Sequence, residues 1–187
     1  MEKPTQVTLT AFNRMALKTG CTRVADESYQ VMRKIVIAYL QTILKYAYEL
    51  ASHGRRSTIG VEDILHAIEL HGFTKIYEEQ DKVKACKISN KKTMEARIRE
   101  YQKQSECYYI PYALFNRLAR EILSDFSGVV NRFTQSAIVN LHLATEMYII
   151  KLFQISRQAM EHANRVTLQA KDIYFTLRVI KDLHSTH

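Results

Sequence analysis

Two pairs of arginine and aspartate stand at one spacing in two distant parts of the chain. Arg56 and Asp63 are seven residues apart, and so are Arg165 and Asp172. Across a loop that leads into a helix, this spacing allows an ion pair that holds the loop against the helix start, where acidic residues are favoured. The alternative chemistry is contact between the guanidinium groups and phosphate. The spacing alone leaves both roles open.

Four other loop residues could bind phosphate. Arg23 and Arg132 have no obvious acidic partner nearby in sequence, and Thr58 and Thr167 follow the paired arginines. Each unpaired arginine either lies on a solvated face or contacts the phosphate backbone or the minor groove of DNA. A formal net charge of +8 and a pI near 9.4 favour a polyanionic partner. Charge by itself does not choose between nucleic acid and an anionic membrane surface.

All these residues belong to an internal repeat with an offset of 109 positions. The offset separates His53 from His162 and holds without a gap back to Arg23 and Arg132. With only two copies, the chain is not a solenoid. We therefore predict two similar units that pack face to face within one polypeptide.

Helices are predicted to position these loops, because apolar residues recur at steps of three or four. Each copy has one long amphipathic helix with a shorter helix on either side, and no strand alternation competes with this pattern. Gly72 is expected to cap the last helix of the first copy. The predicted helices span 9–18, 26–52, 61–70, 93–106, 113–126, 135–163 and 170–182. We predict an all-α protein with a first unit at 1–77, a basic linker at 78–93 and a second unit at 94–187, and we expect residues 81–92 of the linker to be flexible.

The remaining composition excludes several classes of protein. The three cysteines are odd in number and lack metal-ligand spacing, so we expect reduced thiols, no metal site and no cofactor. No apolar run approaches the roughly 20 residues that span a bilayer, and the N-terminus lacks the apolar core of a signal peptide, so we expect a soluble, intracellular protein. No Gly-rich phosphate loop, nucleophile elbow or metal-binding helix pair is present, so we predict no catalytic residues and no enzyme.

Several strings of residues match one known family in order and spacing. They lie at 22–24, 29, 33, 53–59 and 63 in the first half, and at 99–103, 115–122, 125–126, 132–133, 162–167 and 171–173 in the second. On these positions, residues 9–77 resemble histone H-four, and residues 94–181, with the extra helix before the second unit, are similar to histone H-three. The resemblance covers nearly all of the chain. The arrangement as a whole resembles the fused histone doublets of some large DNA viruses.

The resemblance implies two histone folds fused as an intramolecular heterodimer, with long helices that cross head to tail. The first loop of each half would lie beside the second loop of the other half, and the N-termini of the first short helices would add a further phosphate site. The function implied is packaging of double-stranded DNA by bending it without sequence readout, in a nucleosome-like particle. The positions that match DNA contacts of the family are Arg23, Arg55, Arg56, Thr58, Arg99, Lys103, Arg117, Arg120, Arg132, Arg165 and Thr167.

Protein partners are implied as well. His162, Arg165 and Asp172 match positions of the four-helix bundle that joins two copies of histone H-three, which implies that two chains associate through their C-terminal halves. His53 matches a position where histone H-four meets a second histone pair, so a partner pair or doublet is expected. For either histidine, the alternative is a helix-end side chain without a partner.

The chain departs from the family in ways that affect these expectations. The long basic tail of histone H-four is not found before the first helix, and the linker replaces the tail of histone H-three, so tail-based signalling is not expected. Tyr46, Leu50 and His66 replace family residues at the docking face, which implies a specially matched partner. The alternative function is a histone-fold scaffold of a transcription-related complex. We expect a nuclear or chromosomal location, or a virus factory or virion if the protein is viral.

Overall fold

The computed structural model describes residues 7–70, 84–85, 93–103, 107–126 and 128–185. The predicted cap at Gly72 lies outside these residues. So does most of the predicted linker at 78–93, of which Lys84, Ala85 and Thr93 are described.

Seven helices occur in the described part of the chain, and they confirm the predicted helical pattern. Two of them have 28 residues each. The described boundaries agree with the predicted ones to within two residues, except that the last helix is longer. Residues 104–106, at the predicted end of the extra helix, lie outside the described residues. The helices are α1 (Leu9–Lys18), α2 (Asp26–His53), α3 (Val61–Leu70), α4 (Met94–Lys103), α5 (Tyr112–Ser124), α6 (Gln135–His162) and α7 (Ala170–Ser185).

Threonine side chains mark several helix starts. Thr8 Oγ1 accepts a hydrogen bond from the Ala11 amide at 3.3 Å, ahead of α1. Thr134 Oγ1 accepts one from the Ala137 amide at 3.2 Å, at the start of α6. These bonds satisfy amides that have no partner within the helix, so the helices begin where the sequence supplies a cap.

Short strands, which the helical pattern did not predict, join the loops in parallel pairs. β1 (Arg23–Val24) pairs with β6 (Thr167–Leu168), and β2 (Thr58–Ile59) pairs with β5 (Arg132–Phe133). A third pair joins β3 (Lys84–Ala85) to β4 (Cys107–Tyr108), so these two linker residues are paired rather than flexible. Strands of two residues are too short to produce an alternating pattern in sequence.

Two compact units make up the chain, and each draws on both copies of the repeat. The β2–β5 unit comprises Met1–Val7, Val36–Val83 and Ile110–Thr145, and the β1–β6 unit comprises Thr8–Ile35, Lys84–Tyr109 and Glu146–His187. The boundaries predicted at 1–77 and 94–187 divide the repeat along the sequence instead, and they stay a prediction.

Each unit has its own apolar core, to which both long helices contribute. Burial of each large side chain contributes roughly 1.5–3 kcal/mol. In the β2–β5 unit the fully buried residues include Leu40, Ile43, Leu44, Ile59, Ile64, Phe115 and Leu141. In the β1–β6 unit they include Phe12, Met15, Leu17, Met32, Ile149, Phe153 and Leu168.

Candidate nucleic-acid interface

The parallel pair of β2 and β5 brings together loop residues from the two copies of the repeat. Thr58 stands opposite Arg132 in the register. The pair is extended by hydrogen bonds from the Asn131 amide to the Ser57 carbonyl at 3.1 Å and from the Thr134 amide to the Ile59 carbonyl at 3.0 Å. We call the surface formed by Arg55, Arg56, Thr58 and Arg132 the β2–β5 edge.

The first predicted ion pair lies at this edge. Arg56 donates to both carboxylate oxygens of Asp63, at 2.8 and 2.7 Å, and the Gly60 amide donates to the same carboxylate at 2.8 Å. Burial alone would raise the pKa of Asp63, but the bonds from Arg56 and Gly60 outweigh it and lower the pKa. The Arg56 side chain is 48% exposed, so it can hold the loop against α3 and still present N–H groups to solvent.

Arg55 occupies an unusual backbone position at the end of α2. Its φ of +52° lies in the left-handed region, and the Arg56 amide donates to the Ala51 carbonyl at 2.9 Å to close the helix. Glycine or asparagine is preferred at such a helix end, because other residues pay roughly 1–2 kcal/mol there. The Arg55 side chain is exposed. The chain therefore carries a cation at a position whose backbone does not favour it.

The parallel pair of β1 and β6 forms a second edge of the same design. Arg23 stands opposite Thr167, and the Ala25 amide donates to the Leu168 carbonyl at 2.9 Å. At the end of α6 the left-handed position is filled by Asn164, also with φ of +52°. We call the surface formed by Arg23, Arg165 and Thr167 the β1–β6 edge.

The second predicted ion pair lies at the β1–β6 edge. Arg165 donates to the two carboxylate oxygens of Asp172 at 3.0 and 2.5 Å, and the Gln169 amide donates to Asp172 at 2.9 Å. Burial would raise the pKa of Asp172, but these hydrogen bonds lower it. The Arg165 side chain is only 23% exposed. The guanidinium group of Arg165 is thus less accessible to a ligand than that of Arg56.

The other predicted DNA-binding residues lie on exposed helix surfaces outside the strand pairs. Arg99 and Lys103 are exposed on α4, which packs against α1 and whose buried residue is Tyr101. Arg117 and Arg120 are exposed on α5, in the β2–β5 unit.

Both predicted interface histidines stand in the last turn of a long helix. His53 ends α2 and His162 ends α6, and both are exposed. Among the described residues, no group of His, Cys, Asp and Glu is arranged to hold a metal ion. None of the described helices combines the length and apolar character that a bilayer crossing requires.

Two side chains that hold the loops before the strands were not predicted from the sequence. Arg157 of α6 donates through Nη1 to the Thr19 carbonyl at 2.5 Å and covers Gly20, whose φ is +85°. Tyr48 of α2 lies where a Cβ of Gly128 would stand. The offset of 109 makes positions 48 and 157 equivalent, and that equivalence, together with a glycine in each loop, was the available signal.

Two copies of a short-long-short helical unit, joined through parallel loop pairs, define a protein built of two histone folds. The core histone domain, the family model shared by the four core histones, matches residues 90–179. The model of histone-like transcription factors (CBF/NF-Y) and archaeal histones matches residues 9–68. The predicted fold class, all-α with two fused histone folds, is confirmed.

A solved structure agrees with this assignment. The crystal structure of the histone from Methanopyrus kandleri is similar with a TM-score of 0.60 at 12% sequence identity, over 91% of this chain and 92% of that one. The similarity at this identity concerns the fold. The two histone folds support a histone-like role, in DNA packaging or in interaction between histone folds.

Proposed function

We propose that this protein packages double-stranded DNA, bending it without sequence readout in a nucleosome-like particle, as a fused histone doublet. The observation that carries the proposal is the repeated edge, at which a strand pair sets an exposed arginine beside a threonine of the other copy, at Arg132 with Thr58 and at Arg23 with Thr167. A scaffold that binds only protein would not need this chemistry at both edges.

The chemistry of each edge suits a phosphate backbone. Guanidinium groups and hydroxyls donate to phosphate oxygens, which positions a duplex without reading its bases. Arg23 and Arg132 are the side chains that we assign to the minor groove. Arg117 and Arg120 on α5 are further exposed cations of the β2–β5 unit, and Arg99 and Lys103 on α4 are further exposed cations of the β1–β6 unit. Binding of this kind weakens steeply as salt rises, because it depends on counterion release.

Protein contacts are a second part of the proposal. We assign association between two copies of the chain to the C-terminal half, around His162 and Asp172, where Tyr174 and Phe175 of α7 are each 56% exposed. Adjacent exposed aromatic residues on one helix favour a protein partner. We assign a second histone pair or doublet to the surface near His53. No catalytic role is proposed. We propose that the protein is located where the DNA is packaged, in a nucleus or chromosome, or in a virus factory or virion if the protein is viral.

Nuclease protection tests the function directly. The purified chain is reconstituted on random-sequence DNA, with and without a doublet that resembles the other two core histones, and digested with micrococcal nuclease. We expect a discrete protected fragment that is lost when Arg23 and Arg132 are both changed to Ala. The matched control is Lys34→Ala, an exposed cation of α2 outside both edges, which should leave the fragment intact.

The histone-fold scaffold is the competing function, and the exposed Tyr174 and Phe175 are the observation that favours it. Absence of protection under both conditions, with a folded protein by circular dichroism, would exclude packaging. Retention of the fragment in the variant that lacks both arginines would place DNA elsewhere on the molecule.

A further inference from the structure

The two edges share a backbone design, but they differ in the charges that surround their arginines. At the β1–β6 edge, the first turn of α2 carries the exposed acids Asp26 and Glu27, three and four residues after Arg23. The equivalent positions at the β2–β5 edge, 109 residues further on, are Gln135 and Ser136, and the first turn of α6 has no acid. Each edge arginine therefore has a different electrostatic environment.

Asp26 and Glu27 lie close to the β1–β6 edge in space as well as in sequence. Asp26 and Glu27 line one surface groove together with Gln169 and Lys171 of the loop and helix that follow β6. The backbone of this groove is fixed, since the Ala25 amide donates to the Leu168 carbonyl. A duplex that approached Arg23 would have these two carboxylates close to its phosphates.

Other charges at the two edges do not cancel this difference. Once the ion pairs Arg56–Asp63 and Arg165–Asp172 are set aside, the described loops and first helix turns at the β2–β5 edge carry Arg55 and Arg132 against the acid Glu62. The β1–β6 edge keeps Arg23 and Lys171 against Asp26 and Glu27. The β2–β5 edge thus has a surplus of one positive charge, while the charges counted at the β1–β6 edge sum to zero.

The ways in which the long helices end strengthen the contrast. The left-handed residue after α2 is the cation Arg55, whereas the corresponding residue after α6 is the neutral Asn164. Arg56 is 48% exposed, and Arg165 is 23% exposed. More guanidinium surface is therefore available at the β2–β5 edge.

We propose that the two edges hold DNA with unequal strength: the β2–β5 edge is the tighter site, and Asp26 and Glu27 make the β1–β6 edge the weaker one, which releases DNA first as salt rises. This inference rests on the proposed DNA-binding function. Repulsion between exposed carboxylates and phosphate is moderate and screened by salt. The acids thus tune the β1–β6 edge without abolishing binding there.

Reciprocal variants at equivalent positions test the inference. Asp26→Asn with Glu27→Gln removes the acids from the weaker edge, and Gln135→Asp with Ser136→Glu places them at the stronger one. Binding to a fluorescent random duplex of about 30 base pairs is titrated between about 50 and 200 mM KCl. We expect the first variant to bind about two- to fivefold more tightly, and the second to bind more weakly by a similar factor. Single changes of Arg132→Ala and Arg23→Ala should show the greater loss for Arg132.

The outcomes separate this inference from the proposed function. If the unchanged chain binds DNA but both acid variants bind as it does, or the two arginine changes cost the same, the edges are equal and the inference is wrong while packaging stands. If the unchanged chain does not bind DNA, both fail. Thermal unfolding of each variant shows whether it is folded, and single changes of Asp26→Asn and Gln135→Asp give the same test where a double variant does not fold.

Discussion

The two loops that lead into the strands are fastened by equivalent residues of different chemistry. In the β1–β6 unit, Arg157 donates a charged hydrogen bond to the Thr19 carbonyl and forms an ion pair with Glu161 at 2.7 Å. In the β2–β5 unit, the equivalent Tyr48 packs its ring on Phe126, with 5.8 Å between ring centroids, and covers Gly128. The equivalent residues Arg157 and Tyr48 thus both hold a loop, Arg157 through polar contacts and Tyr48 through aromatic contact. What the repeat conserves is the place where the loop is held.

Acidification should have the largest effect on stability, because it protonates Asp63 and Asp172 and so weakens the arginine–aspartate ion pair that each unit contains. The pKa values of Asp63 and Asp172 are lowered in the folded protein. Their contribution to stability is therefore complete above the unfolded pKa of about 3.9 and is lost as pH falls through the lower folded values. We expect the free energy of unfolding, measured by denaturant titration, to fall steeply below about pH 4.

The control for this prediction removes the titrating groups. A variant with Asp63→Asn and Asp172→Asn should be less stable at neutral pH and should show a flatter decline below about pH 4. An unchanged slope in that variant would mean that other carboxylates govern the acid response.

The next largest effect should come from glycine substitution, which should destabilise the two units to different extents. Gly20→Ala places a side chain at φ of +85° and against the Arg157 guanidinium group, so we expect a loss of about 2 kcal/mol in stability. Gly128→Ala meets the Tyr48 hydroxyl, and behind it the edge of the ring, without the left-handed backbone, and we expect a loss of about 1 kcal/mol. Thermal or chemical unfolding measures both. Equal losses would show that the backbone conformation of Gly20 contributes nothing.

The side chains that hold the loops should respond differently to conservative changes. Arg157→Gln shortens the side chain and removes the charged bond to Thr19, which should cost about 1 kcal/mol and less at high salt. Tyr48→Phe keeps the ring on Phe126 and should change stability by less than about 0.5 kcal/mol. If Tyr48→Phe costs as much as Arg157→Gln, the Tyr48 hydroxyl, and not its ring, holds the loop.

Sequence reasoning found what periodicity and the repeat encode, and missed what depends on tertiary pairing. The helices and the pairs Arg56–Asp63 and Arg165–Asp172 follow from patterns within a few turns of chain. Steps of three or four along α2 select the row Val31, Ile35, Tyr39, Ile43, Ala47 and Leu50. Tyr39, Ile43 and Ala47 are buried, but the other three are only half-buried, whereas Met32, Val36, Leu40 and Leu44, which lie beside this row, are fully buried. A long helix that packs on several neighbours buries a face wider than one row.

The strand pairs and the residues over the glycines could not be derived in the same way. Thr58 and Arg132 are 74 positions apart, and nothing in the types of two residues indicates a parallel register. The offset aligns Tyr48 with Arg157, but the two side chains share no chemistry, so the alignment by itself does not indicate that both hold a loop. Such contacts are set by where the chain brings helices and loops together, and a single sequence does not record that.

Exchanging the two left-handed residues that follow the long helices should have a small effect of opposite sign in the two units. Arg55→Asn gives the β2–β5 unit the residue found at Asn164, and asparagine accepts the left-handed conformation more readily than arginine. We expect stability to rise by about 0.5 kcal/mol, measured by chemical denaturation, while affinity for DNA falls. The reciprocal Asn164→Arg should lower stability by a similar amount and strengthen DNA binding at the β1–β6 edge. A gain in stability without a loss of DNA binding would mean that Arg55 serves no phosphate, and the strained backbone would then have no functional reason.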